Sequence, residues 1–290
     1  MARRAGVLLN IASLPSAYGI GDIGGEAYKW IDRIADMGFT VWQILPTVPI
    51  GEGNSPYASP SAFAGNTLYI NPDLLVTDRL ITEAERKAAE YGGSVYTVDY
   101  DYARESKNAL IRTALSRADD ALIKKVRAFG KANPHIENYA LYMAVKETQG
   151  DKPFWEWQKG LDFASVSANK GEYDSALLYH LFGQYLFFTQ WAGLKEYASS
   201  KGVKLFGDMP IYVCRDSADL WSAPQLFQVS GKNAKPSSVA GVPPDYFSED
   251  GQLWGNPLYN WAAMKKDGFS WWKQRIEASF KLYDILRIDH

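Results

Sequence analysis

Asp284-Ile285-Leu286-Arg287-Ile288-Asp289-His290, the last stretch of the chain, reads as a strand. Side chains alternate along a strand with period two, so Ile285, Arg287 and Asp289 share one face and Leu286, Ile288 and His290 the other. An Arg and an Asp side by side at the end of an otherwise apolar strand are costly to bury unless paired and hydrogen-bonded. A neighbouring Arg favours the ionised form of a carboxylate, which is the form a carboxylate nucleophile requires.

Upstream, three further apolar stretches read as strands: Val7 to Ile11, Phe39 to Leu45 (ended by Pro46) and Val203 to Phe206. Between the first two lies an amphipathic helix with Ala27, Trp30, Ile31, Ile34 and Ala35 on one face and Gly38 as its stop. Strand, helix, strand is the unit of a parallel α/β sheet. A long helix, Tyr173 to Ser200, precedes the third strand. Another, Trp261 to Tyr283 with a break near Gly268, precedes the fourth. From Asp73 to Lys170 the pattern is helical and polar, clearest over Ser106 to Gly130 and Pro134 to Thr148, and reads as an inserted helical subdomain.

A doubly wound sheet and a (β/α)8 barrel both fit this order. Carboxylates at the C-terminal ends of the third and fourth strands, Asp208 and Asp289, suit a barrel active site. A barrel needs eight strands and four are legible, so the expectation is either a smaller open sheet or the first half of something larger. The implied division is 1–72 for the start of the barrel, 73–172 for the insertion and 173–290 for the continuation, with a lid over 216–260.

Composition narrows the function. The chain has 290 residues, 47% hydrophobic and 22% charged, with a formal net charge of −2. A folded core is expected, and nothing in the charge calls for nucleic acid or an anionic membrane as partner. Cys214 is the single cysteine, so no intrachain disulfide can form; this fits a reducing cytosol, and a cytoplasmic location is expected. Arg3-Arg4 before Val7-Leu8-Leu9 faintly imitates a signal peptide, but Asn10, Ser13 and Pro15 interrupt the apolar part. The longest apolar stretch, Ala176 to Phe188, is too short to span a bilayer. Aromatic residues reach 14%. Most belong in a core, but several fall among Gly, Pro and Asn, the setting in which a sugar-binding cleft presents aromatic faces to pyranose rings.

Gly19-Ile20-Gly21-Asp22-Ile23-Gly24 matches the G-x-G-x-x-G dinucleotide fingerprint. A Pro-containing loop separates it from the strand, whereas the fingerprint needs its glycines in the tight turn itself. The strand that follows, Val41-Trp42-Gln43-Ile44-Leu45, ends without an acidic residue to hold a ribose. A tight turn lining a cleft is the better reading. The stretch from Gly53 to Asn66, dense in Gly, Pro, Ser and Asn, follows the second strand and would lie on the active face of a barrel. Within it Tyr57, in a rigid Pro-flanked turn, suits a sugar-stacking platform. Ala240 to Trp261 carries glycines, prolines and aromatics that exclude regular structure and reads as an ordered lid. Asp208 is equally open to a cap or turn role. His135 and His180 lie in helical patterns and read as ordinary. No zinc-type spacing, Walker A or serine elbow is visible, so neither a metal nor a cofactor is expected.

Taken together, Ser13-Leu14-Pro15-Ser16 with Tyr18 to Asp22, Ser55-Pro56-Tyr57 through Asn66, Gly207 to Val213, Ala240 to Trp261, and Arg287-Ile288-Asp289-His290 resemble the 4-alpha-glucanotransferases, or amylomaltases, family 77 of the glycoside hydrolases in the α-amylase clan. The pieces run from one end of the chain to the other in the family's order, and the lid stretch is the most specific of them. The resemblance implies a (β/α)8 barrel of TIM type with helical insertions, here its first half. It also implies transfer of α-1,4-glucan segments between maltooligosaccharide donor and acceptor by a retaining double displacement. On it, Asp289 matches the nucleophile, Arg287 the Arg that pairs with it, and His290 a neighbouring subsite His. Asp208 matches a donor-subsite carboxylate, and Ser55 and Tyr57 fall in the substrate loop. Asp245, Trp254 and Asn256 lie in the lid over the acceptor side. In the family the general-acid Glu and a third Asp come after the nucleophile, beyond His290. The 290 residues alone are therefore expected to lack transferase activity and to self-associate through unpaired strand edges. A hydrolase or debranching enzyme of the same clan, and a non-catalytic α-glucan-binding module, are the alternatives.

Overall fold

A computed structural model describes residues 3–231, 233–246 and 248–289, the last in its backbone only. The elements run β1 (Gly6–Leu8), α1 (Gly25–Asp36), β2 (Val41–Gln43), α2 (Pro72–Thr77), α3 (Glu83–Ala88), α4 (Tyr100–Ser116), α5 (Asp120–Ala132), α6 (Pro134–Thr148), α7 (Phe163–Ala168), α8 (Asp174–Ser200) and β3 (Lys204–Pro210). After β3 come α9 (Ala218–Ser222), β4 (Val229–Ser230), β5 (Lys235–Pro236), β6 (Val239–Val242), β7 (Gln252–Pro257), α10 (Trp261–Lys266), α11 (Ser270–Leu282) and β8 (Ile285–Asp289).

The four-stranded sheet has the order β1-β2-β3-β8, and every neighbouring pair is parallel. Each strand is added on the same side as the one before, with no reversal of direction along the sheet. A doubly wound sheet reverses at a switch point; this one does not, and it is of the (β/α)8-barrel type. Two expectations change. Ser106 to Gly130 is not one helix: it breaks between α4 and α5, where the Asp119 carboxylate caps the Leu122 amide at 2.7 Å. The edge strands are not fully buried either, since Leu8 is 53% and Ile288 47% exposed, each strand having one sheet neighbour among the described residues.

α8, 27 residues long, organises the core. It is apolar nearly all round because it packs against α4, α5 and α6 on one side and against α1, α11 and β3 on the other. Leu177, Phe182, Phe187, Trp191 and Leu194 are buried along it. Two of its glutamines reach the long loop after β2. Gln184 accepts from the Gly65 amide (2.7 Å) and donates to the Gly65 carbonyl (2.9 Å). Gln190 treats Asn71 the same way, at 2.7 and 3.2 Å. Buried loop backbone that would otherwise be unpaired is thereby satisfied.

The Gly19–Gly24 stretch, expected to line a cleft, is buried. Its Asp22 forms an ion pair with Lys107 of α4 at 2.9 Å, both side chains almost fully buried. Gly21 fits because the backbones touch: a Cβ there would lie 2.0 Å from the Ile11 carbonyl oxygen and 2.8 Å from the Leu14 nitrogen. Gly21→Ala must push backbone rather than a side chain. It is expected to cost about 3 kcal/mol, at the upper end of overpacking penalties, read as a lowered denaturant midpoint.

Candidate active site

Asp208 lies near the C-terminal end of β3. The parallel register sets it opposite Arg287 of β8, and Pro210 opposite Asp289. At 3% exposure its carboxylate needs partners. The Arg287 Nε stands 3.1 Å from Oδ1, and the Tyr57 hydroxyl donates to Oδ2 at 2.8 Å. The Arg287 side chain is 45% exposed and Tyr57 39%, so the cluster opens to solvent on one side. The sequence pairs Arg287 with Asp289 along the strand. In the structure Arg287 reaches across the ladder to Asp208, and the side chain of Asp289, like the whole of His290, lies outside the described residues.

Local sequence explains how Tyr57 gets there. Pro56 opens a one-turn 3-10 helix, Pro56–Ala58, suited by its fixed φ to the first position. The Ser55 hydroxyl oxygen caps that turn, accepting the Tyr57 amide at 3.2 Å. Ser55 thus acts on Tyr57 from beneath. On the other side of Asp208, Gly207 admits the ring of Tyr283, which would sit 2.2 Å from a Cβ. The Tyr283 hydroxyl shares a 2.5 Å hydrogen bond with Thr47, and burial pushes its pKa up to about 12, so it remains a neutral partner.

The stretch expected to be an irregular lid contains an antiparallel hairpin, β6 with β7. Asp245 shapes its turn, accepting from the Ser248 amide at 3.0 Å, and is itself exposed. Asn256 donates to the Val213 carbonyl at 2.9 Å, tying the hairpin to the loop after β3. The ring of Trp254 lies 6.5 Å from that of Tyr212. Trp254 and Asn256 border a cleft of about 790 Å³ whose far wall is the helical insertion. The structure therefore joins Tyr57, Asp208 and Arg287 in one cluster, leaves Trp254 and Asn256 on the adjoining cleft, and sets Asp245 at the hairpin turn.

Sequence reasoning missed the insertion's share of the cleft. Arg215 stacks over Trp155 at 3.9 Å. Asp216 accepts from Tyr142 (2.5 Å), Lys146 (2.5 Å) and the Phe154 amide (3.1 Å), fastening the loop after β3 to the insertion. His180, read as ordinary, lines the cleft and pairs with Glu147 at 3.0 Å, which holds the Glu147 carboxyl below its ordinary range. The run Pro153-Phe154-Trp155-Glu156-Trp157 satisfied the same aromatic-beside-proline criterion that singled out Tyr57. Among the described residues no group of His, Cys, Asp and Glu could hold a metal ion, and no helix is long and apolar enough to cross a membrane.

Comparison with known proteins places the chain in a family. The family model described as 4-alpha-glucanotransferase matches residues 9–290. The 4-alpha-glucanotransferase of Aquifex aeolicus is 43% identical over 294 residues, covering 99% of this chain and 59% of that protein. That of Streptococcus pneumoniae is 41% identical, covering 99% and 58%. The solved amylomaltase of Streptococcus agalactiae, in complex with acarbose, superposes with a TM-score of 0.93 at 38% identity, over 99% of this chain and 59% of that one. The chain thus spans a little over half the length of these relatives, and with nearly all of its residues matched it belongs to the 4-alpha-glucanotransferase family, glycoside hydrolase family 77.

Proposed function

We propose that the protein transfers α-1,4-glucan segments from one maltooligosaccharide to another through a glycosyl-enzyme intermediate. The observation that carries this is the convergence of Tyr57 and Arg287 on Asp208 at the C-terminal ends of parallel strands, two register positions from Asp289. Strand ends of a (β/α) barrel are where its chemistry is assembled. In the first step the Asp289 carboxylate attacks the anomeric carbon. The glycosidic C–O bond breaks, and the leaving oxygen takes a proton from a general acid. In the second, a hydroxyl of the acceptor glucan attacks the ester, returns that proton to the same group and frees Asp289. Arg287 and Asp208 hold charge near the reacting centre, and Tyr57 offers its ring to the donor sugar.

Because the chain spans 59% of the Aquifex relative, transfer is assayed on a polypeptide of that relative's length carrying these residues, and binding on the 290 residues themselves. Incubation with maltotriose should give glucose together with longer oligosaccharides. Glucose and maltose alone would mark a hydrolase, and calorimetry without heat from maltotriose or acarbose would remove the glucan reading. Water is the competing acceptor, and a hairpin that excludes it favours transfer. Trp254→Ala in that transfer assay is therefore expected to lower the ratio of transfer to hydrolysis by about tenfold, roughly 1.4 kcal/mol of differential barrier. An unchanged ratio would remove the hairpin from this role.

A further inference from the structure

We infer that Arg275, on α11 behind the site, is its positioning residue, holding the end of β3 and the Tyr57 loop in register from one buried guanidinium. Arg275 is 2% exposed and lies beside the rings of Trp271 and Trp272, 5.4 and 5.3 Å from their centroids. One terminal nitrogen donates to the Ile211 carbonyl (3.1 Å) and to the Tyr259 hydroxyl (3.2 Å). The other donates to the Pro210 carbonyl at 2.5 Å. The Tyr259 hydroxyl in turn donates to the Ile211 carbonyl at 2.5 Å.

These carbonyls lie two and three residues after Asp208, and Pro210 is the register partner of Asp289. A planar fork can hold two successive carbonyls in fixed directions, which a lysine ammonium cannot reproduce. The second wall borders the same side chain. Asp219, 5% exposed, accepts the Ala62 amide at 2.8 Å and so anchors the loop that carries Tyr57. Burial raises the Asp219 carboxyl; the Ala62 amide opposes that rise first, and the charges of Arg275 and His135 after it. Arg275 and Tyr57 also line one small void of about 20 Å³ beneath the loop, so the two walls meet there. Without the guanidinium, the β3 carbonyls lose donors, the void shared with Tyr57 loses one of its walls, and the Asp219 carboxylate loses one of the charges that favour its ionised form. Both sides of the Asp208 cluster are then free to shift. The hydrogen bonds of Arg275 go to the carbonyls after β3's Asp208 and to Tyr259, so its action is through backbone.

The inference deepens the glucan reading and rests on it for the ligand readout alone. Arg275→Met, Arg275→Lys and the milder Tyr259→Phe are compared in the 290-residue chain by site-resolved hydrogen exchange, thermal melting and calorimetry with maltotriose. In Arg275→Met, exchange at Ala62 and at Ile211, Tyr212 and Val213 should accelerate at least tenfold while α6 amides keep their protection, and the maltotriose Kd should rise at least thirtyfold. Arg275→Lys, which keeps the charge, should recover the melting temperature but not the affinity. Tyr259→Phe, which should fold even if Arg275→Met does not, should loosen Ile211 to Val213 and weaken binding severalfold. Uniform acceleration across the chain, local loosening with unchanged Kd, or full recovery of affinity by Lys would each overturn the assignment. If the unmutated chain binds no maltotriose, the glucan reading fails, and the local pattern of exchange still decides the positioning role.

Discussion

Lys107→Met is expected to lower the unfolding free energy by about 3–5 kcal/mol, the range for removing one partner of a buried ion pair. Lys107 stands on α4 at the interface between the insertion and the first strand-helix unit. Its ammonium donates to Asp22 at 2.9 Å and to the Ile70 carbonyl at 2.6 Å, and lies 5.1 Å from the centre of the Tyr18 ring. Asp22 in turn accepts from Asn71 (2.9 Å) and from the Gly24 amide (3.1 Å). Burial pushes the Asp22 carboxyl up and the Lys107 ammonium down, while each partner's charge pulls the other back. With methionine the stem still packs, but a buried carboxylate is left without its cation.

The pH dependence carries a definite sign. In the variant the folded-state pKa of Asp22 is raised by burial with no cation opposing it. The resulting penalty is complete above that raised value and disappears below the unfolded value, near 3.9. The gap between variant and parent should therefore narrow as pH falls from 7 toward 4. Asp22→Asn combined with Lys107→Met should recover more than half of the loss, because the amide keeps an acceptor for Gly24 and carries no charge. Additive losses in urea titrations of the two single variants and the double one would show that the two side chains do not act as a pair.

Much of the fold was legible because local chemistry and tertiary role coincide. α6 runs from Pro134, at its first position, to Thr148, two residues before Gly150, as its terminal residues dictate. The break before α11 falls at Gly268, whose φ of 68° few other residues adopt. The α4–α5 break was hidden because Asp119-Asp120 can serve a helix interior or a cap, and only packing decides. The β6–β7 hairpin was hidden because Gly241, Gly251 and Gly255 interrupt its alternation. In the site, the residues themselves and then the resemblance pointed to Tyr57, Asp208 and Arg287, yet not to the meeting of Arg287 with Asp208. That contact follows from the register between β3 and β8, which no single strand encodes. The glycines at 19–24, read as a tight turn lining a cleft, instead serve close backbone packing around a buried salt bridge.

Asp208→Ala is expected to weaken maltotriose binding about 100-fold, or roughly 2.7 kcal/mol, while leaving the chain folded. The carboxylate is an acceptor for the Tyr57 hydroxyl and stands against Arg287, and hydrogen bonds to charged groups contribute about 1.5–3 kcal/mol each. Tyr57 and Arg287 are both more than a third exposed, so water replaces what they lose and the folding cost stays near 1 kcal/mol. Their geometry is not replaced by water: the ring is free to turn away from the strand ends, and the guanidinium to swing into solvent. Asp208→Asn separates shape from charge. The amide keeps an oxygen for Arg287 and can donate to the Tyr57 hydroxyl, so the cluster persists without its negative charge, and the loss should fall to about tenfold. Tyr57→Phe keeps the ring and removes the hydroxyl, and should also cost about tenfold. Calorimetry on the three variants, with melting curves as the control for folding, checks the order Ala far below Asn and Phe. Binding within twofold of the parent in Asp208→Ala would mean that the cluster at the end of β3 is not where glucan binds, and the cleft against the insertion would then be the site to test.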